Sequence, residues 1–282
     1  QCGIGSALFG RGDGALMRLP SRCGRGIVIS VCFVVTFPLA GRPNSSTASL
    51  PTVAWSPRLD PLPRLPHLEE VPGSEQSLHL GVLKAFLSDD EMRALDEIAR
   101  HGMSWEVKDR HAGLVFTHHV RRIETALREV ESELYQKLLL TAWSVDQRIW
   151  KNLGPTDYTL PQIEYIEYDV EKLGCEGKIA KHNDNGSMVS VVVLLSDPSE
   201  FEGGTNFFKG FPQRRRVILG RGDAVFFYGD QCEHWIGPVT AGRRAILQME
   251  LQNPLRLQSQ EDPEGERGKR KAKGKARRGR GR

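Results

Sequence analysis

The segment His182-Asn183-Asp184 sets an imidazole and a carboxylate two positions apart, and His234 opens a later run, HWIGPV. In a β-strand, side chains two positions apart leave the same face, so this histidine and aspartate can be aimed at one point. Two neutral imidazoles and one carboxylate on one side of a metal are the ligand set of non-haem iron(II) sites, which keep positions open for substrate and dioxygen. A hydrolytic zinc would accept the same ligand types, but the chain has no HExxH segment of the kind that carries them on a helix. An isolated HxD triplet is a weak signal. Its force here comes from the order: HxD, a β-rich stretch, a histidine and then a basic residue.

That basic residue is Arg244, with Arg243 as its rival. A guanidinium is a two-pronged donor matched to a carboxylate. Adjacent strand residues face opposite ways, so only one of the pair can look toward the metal. The even spacing from His234 favours Arg244, whereas a β-bulge between them would favour Arg243. Other histidines are plainer. Adjacent His118 and His119 would point to opposite faces of a strand and cannot both meet one metal from there.

Periodicity predicts the elements that must carry these residues. Ser88-Asp89-Asp90-Glu91 has the pattern of a capping box opening a helix to about residue 100, with Met92, Leu95, Ile98 and Ala99 inward. Ile123, Leu127, Val130, Leu134 and Leu138 recur at helical spacing and predict a second helix over about 121–142. After Gly154-Pro155 come short β-rich runs at 162–169, 178–184, 187–195, 204–208, 215–219, 223–228, 233–239 and 243–251. Helices followed by many short strands predict a mainly β fold, a double-stranded β-helix (jelly roll) core buttressed by N-terminal α-helices.

The 282 residues are 39% hydrophobic and 26% charged, which excludes collagenous, fully disordered and polytopic membrane classes. The net charge of +4 is uneven: residues 267–282 carry 10 of the 39 Lys and Arg and no acid, leaving 29 basic against 35 acidic residues elsewhere. No nucleic-acid partner is expected for a mildly acidic body of this kind. The domain layout follows. Residues 1–41 form a signal-like segment, with the apolar run 27–40 behind Arg18, Arg22 and Arg25, and Met17 as the expected start. The run is too short to span a bilayer and implies at most transient membrane targeting, to the endoplasmic reticulum or alternatively a plastid. A Pro-rich linker at 42–77 contains the sequon Asn44-Ser45-Ser46, the folded domain covers 78–255, and a basic low-complexity tail occupies 256–282. Without the targeting segment, Cys175 and Cys232 remain, either paired or as two free thiols.

The combination of YIEYD, KHND, VVVLLSDPSEFEGGTNFF, GDAVFFYGDQCEH and PVTAGRR over 162–250 resembles the catalytic core of prolyl 4-hydroxylase-type 2-oxoglutarate/Fe(II)-dependent dioxygenases. The preceding FLSDDEMRALDEIA resembles that family's first helix, so the likeness covers about 78–252. The resemblance implies a jelly roll in which His182, Asp184 and His234 hold Fe(II), Arg244 binds the distal carboxylate of 2-oxoglutarate, and Tyr168 lies beside the cosubstrate. It also implies dioxygen as second substrate, ascorbate as a companion reductant, a protein or peptide substrate with proline ahead of lysine, and release of succinate and CO2. A catalytically silent jelly-roll binding module is the contrasting reading. Two positions often tyrosine in relatives are Ile179 and Leu194 here, which removes hydroxyl donors from the cosubstrate's surroundings.

Overall fold

The structure, a computed structural model, describes residues 53–57, 62–109, 115–154, 157–210 and 213–254. The signal-like segment, Met17, the Asn44 sequon and the basic tail lie outside these residues. So does most of the chain between 42 and 61. Part of the expected linker is packed. Strand β1 (Leu68–Val71) pairs antiparallel with β2 (Leu80–Leu83), and Leu68 is buried. Trp55 exchanges backbone hydrogen bonds with Thr159 and sets its ring edge-on to Trp143 at 5.6 Å. Prolines interrupt regular pairing in this stretch, but the apolar side chains between them still reach the core.

Helix α1 (Asp89–His101) opens on the expected capping box: Ser88 Oγ accepts from Glu91 N at 3.3 Å, and Glu91 Oε2 accepts from Ser88 N at 2.8 Å. Strands β3 (Trp105–Asp109) and β4 (Phe116–Arg122) form a hairpin that periodicity did not reveal. The helix expected over 121–142 is two helices, α2 (Glu124–Val130) and α3 (Ser132–Ile149), broken at Glu131 (φ −126°, ψ 59°). Leu127, Leu134 and Leu138 feed one core from both sides of the break, so their spacing runs through it, while Val130 at the break is 60% exposed.

The β-rich half comprises β5 (Leu160–Asp169), a one-turn α4 (Val170–Leu173), β6 (Gly177–His182), β7 (Ser187–Leu194), β8 (Phe201–Gly203), β9 (Asn206–Phe208), β10 (Arg215–Val217), β11 (Ala224–Phe227) and β12 (His234–Gln252). The runs expected at 233–239 and 243–251 are one 19-residue strand. Pairing with β8 continues through Ala241 and Gly242, so no turn intervenes. Gly242 sits at φ +73°, and a Cβ there would stand 2.0 Å from Glu200 O, so only glycine passes.

A large sheet runs in the order β1-β2-β11-β7-β12-β5-β4-β3. A smaller group, β6, β8 and β9, pairs with the first part of β12, and β10 pairs with β9. The architecture is a mainly β jelly roll with helices behind the large sheet. Alternation along β12 sorts the two cores: Leu247, Met249 and Leu251 join Leu95, Leu127, Leu138 and Trp143 beneath the helices, while Ile246 joins Ile166, Phe208 and Phe227 inside the barrel. Each fully buried leucine contributes about 1.5–3 kcal/mol relative to exposure. Among the described residues, no helix is long and apolar enough to cross a membrane.

Candidate metal centre

His182 ends β6 and lies directly opposite His234, the first residue of β12, with ring centroids 4.3 Å apart. Asp184 is not on the strand. It sits in the turn after β6, its N–H donating to Gly229 O and its carbonyl accepting from Ser187 N, each at 3.0 Å. The turn rather than strand alternation therefore aims the carboxylate. Asp184 Oδ1 lies 3.2 Å from His182 Nε2 and 3.5 Å from His234 Nε2. One ligand atom from each of the three residues falls within 4.8 Å of the others. His182 Nδ1 lies 2.8 Å from Ala180 O and His234 Nδ1 3.1 Å from Cys232 O. A carbonyl can only accept, so each Nδ1 carries a proton, which leaves Nε2 as the nitrogen of each ring that could ligate a metal at the common point. Ser190 Oγ donates to Asp184 Oδ2 at 2.6 Å and fixes the carboxylate's orientation.

Burial alone would raise the Asp184 pKa, but His234, His182 and Ser190 outweigh it and hold the group below the ordinary carboxylate value. For His182, burial is outweighed by Asp184 and the pKa rises, whereas burial, with His182 adding to it, lowers that of His234. Aromatic walls enclose the pair: Phe116 lies edge-on to His182 at 5.5 Å, and Phe227 meets His234 at 4.4 Å. Two imidazoles with Nε2 atoms turned to one carboxylate suit a divalent first-row transition metal.

Arg244 is the arginine that turns inward. It is 1% exposed, pairs in register with Tyr168 on β5, and donates from Nη2 to Asn206 Oδ1 at 3.0 Å. Its guanidinium lies 5.3 Å from the centroid of the Tyr168 ring. Among the described residues no carboxylate pairs with it, so a buried cation stands without a counter-charge. Gly204 gives it room, since a Cβ there would stand 2.6 Å from Arg244 Cδ. A cleft of about 170 Å³ adjoins it, lined in part by Leu194, Asn206 and Val217. Arg243 points the other way, into a network in which it donates to Glu167 Oε2 at 2.5 Å and to Tyr165 Oη at 2.9 Å, and Tyr165 donates to Asp96 Oδ1.

Tyr168 is fully buried, and burial, opposed by Arg244, pushes its pKa up to about 12. Ile179 and Leu194 are both buried and apolar. The Cys175–Cys232 disulfide does not form: both thiols are free, Cys175 exposed and Cys232 buried in the inner core. Within the loop around 209–216, Arg215 is taken up by the carbonyls of Val71, Pro72, Leu78 and Lys209, and Arg214 lies 4.6 Å over the Phe207 ring. The sequence did not single out Ser190 or Asn206, and it gave His118 no role at the metal. Ser190 is a polar residue inside the apolar run SMVSVVVL, which is the signal that could have found it. His118 is buried on β4, its ring 5.9 Å from that of Tyr168. Burial, then His119 and His182, pushes its pKa down to about 4, so the ring is neutral.

No protein-family model matches the chain. Among curated proteins the chain is similar to the PKHD-type hydroxylase YbiX of Shigella sonnei and to that of Escherichia coli. Each is 33% identical over 84 residues, 29% of this chain and 37% of the relative. The match thus spans little more than a third of those relatives' length. Among solved structures, a 2OG-Fe(II) oxygenase-family oxidoreductase from Burkholderia pseudomallei is 15% identical, covering 61% of this chain and 84% of its own at a TM-score of 0.47. A Pseudomonas putida prolyl-4-hydroxylase is 17% identical, covering 62% and 92% at a TM-score of 0.42. A Trichoplax adhaerens prolyl hydroxylase in complex with a hypoxia inducible factor peptide fragment is 13% identical, covering 62% and 83% at a TM-score of 0.47.

Proposed function

We propose that this chain is a 2-oxoglutarate- and Fe(II)-dependent dioxygenase of the prolyl 4-hydroxylase type, hydroxylating an unactivated C–H bond of a peptidyl substrate, proline first. The observation that carries the reading is the convergence of His182, Asp184 and His234 within 4.8 Å. The uncompensated guanidinium of Arg244 behind them supports it. His182 and His234 would hold iron through Nε2 and Asp184 through Oδ1, and Arg244 would take the distal carboxylate of 2-oxoglutarate. When bound, iron and 2-oxoglutarate supply the oxidising power for C–H hydroxylation, with succinate and CO2 released. The chain's own residues orient and enclose. Ser190 keeps Asp184 turned toward the histidines, Ala180 and Cys232 carbonyls fix both tautomers, and Phe116, Phe208 and Phe227 pack against the two imidazoles.

The likeness to PKHD-type hydroxylases and the motifs over 162–250 support hydroxylation. The motifs are also the support for proline and for ascorbate. The apolar run 27–40 behind three arginines supports entry into the secretory pathway, checked by locating a tagged full-length chain. For the chemistry, the protein is incubated with Fe(II), 2-oxoglutarate, ascorbate and a peptide library. The expected result is succinate in step with peptides heavier by one oxygen atom on proline. Release of no succinate with any substrate would favour a silent binding module. Oxygen gained on lysine would keep the chemistry and overturn the proline assignment.

A further inference from the structure

Three buried polar atoms fall on one row of the large sheet, His118 Nδ1, Tyr168 Oη and Arg244 Nη1; none makes a well-formed hydrogen bond, although the Tyr168 hydroxyl and the Arg244 guanidinium lie near enough to interact. They belong to adjacent strands β4, β5 and β12. Arg244 pairs with Tyr168 in register, and His118 comes one residue before His119, the partner of Glu167, so the antiparallel register sets it beside Tyr168. All three are more than nine-tenths buried, at 6%, 0% and 1% exposure. Buried polar groups are normally satisfied, and an unsatisfied one is costly, so three in a row are fitted to hold a polar ligand. Ile179, Leu194, Val239 and Ile246, which share the inner core with Tyr168, are apolar. The other amine of Arg244 is already spent on Asn206.

We propose that His118 is a positioning residue that supplies a third donor, beside Tyr168 and Arg244, for the carboxylate that a 2-oxo dicarboxylic acid holds farthest from the metal. The inference rests on the oxygenase reading. A carboxylate accepts at about four lone-pair sites, enough for a guanidinium N–H, a phenolic O–H and an imidazole N–H together. The neutral Nδ1–H tautomer of His118 gives that third bond without placing a second buried cation next to Arg244. His118 is not a further metal ligand, since the cluster of metal-ligating atoms among the described residues contains only His182, Asp184 and His234.

The test is calorimetry on the full chain loaded with Fe(II) under nitrogen, titrated with 2-oxoglutarate and, separately, with pyruvate, which has the metal-binding end but no distal carboxylate. His118→Phe is expected to weaken 2-oxoglutarate roughly tenfold to a hundredfold, as expected for losing a hydrogen bond to a charged group. It is expected to leave pyruvate unchanged. His118→Asn, whose amide nitrogen stands near the lost Nδ1, is expected to restore most of the affinity, and His118→Gln is not. Unchanged 2-oxoglutarate binding in His118→Phe overturns the proposal, and so does a parallel loss for both acids, the mark of a merely structural residue. Should the phenylalanine variant fail to fold, Gln binding as tightly as Asn overturns it instead. Wild-type protein that binds neither acid sinks the oxygenase reading, whereas wild type that binds both equally sinks only the carboxylate seat.

Discussion

At the scale of single residues, the proposed function assigns the two adjacent arginines separate duties, one in stability and one in binding. Arg243 is paired with Glu167 and Tyr165 on the outer side of the sheet, whereas Arg244 is buried with no counter-charge. Arg243→Ala is expected to cost about 1 kcal/mol in urea unfolding, discounted because the side chain is 44% exposed, and to leave 2-oxoglutarate affinity unchanged. Arg244→Met is expected to do the reverse. The apo protein should be as stable as wild type or more so, because an unpaired buried charge is removed, while 2-oxoglutarate binding is lost. Ser190→Ala frees Asp184 Oδ2 and is expected to weaken metal binding about tenfold in a competition titration, since partners of metal ligands are worth factors of this size. These residues differ in how visible they are from sequence. His182, Asp184, His234 and Arg244 stand out by chemical type and order, but the turn that aims Asp184 depends on contacts with Gly229 and Ser187 that no local pattern encodes.

At the scale of elements, legibility follows whether the determining forces are local. The capping box of α1 is local and was readable, and Ser88→Ala is expected to cost about 1 kcal/mol of stability. The break between α2 and α3 and the hairpin β3–β4 were not readable. The first is masked by apolar residues serving one core from two helices, and the second carries FTHHVRR, whose polar members obscure a strand signature. The unbroken course of β12 depends on Gly242 passing the Glu200 carbonyl, so Gly242→Ala is expected to cost more than about 2 kcal/mol. The end of α3 supplies a pH dependence. Asp146 accepts from Asn152 N and Leu153 N, yet burial pushes its pKa up to about 6 from 3.8. A raised carboxylate pKa means that the folded state binds the proton more tightly than the unfolded one. Stability from this group is therefore present in acid and declines as pH rises from 3.8 to about 6, by an amount on the order of 3 kcal/mol. Asp146→Asn is expected to flatten the pH dependence of unfolding free energy across that window.

At the scale of the whole molecule, ligands that bind only the folded chain must stabilise it. Saturation with Fe(II) and 2-oxoglutarate, each at about a hundred times its Kd, is expected to add about 2.7 kcal/mol per ligand, read as a raised Tm that a chelator reverses. The jelly roll itself was legible from strand number and spacing, while the packing of Leu68 and Trp55 against it was not, because both are held by distant partners. One consequence belongs to β12. His234 begins that strand and Arg244 lies farther along the same backbone, so under the proposed function the strand is a caliper whose jaws are one imidazole and one guanidinium. Inserting two residues between the jaws would keep both on their present side and widen the gap by up to about 7 Å. On that proposal, acceptance of a longer or shorter acid is a change of gauge that leaves His182, Asp184 and His234 where they are.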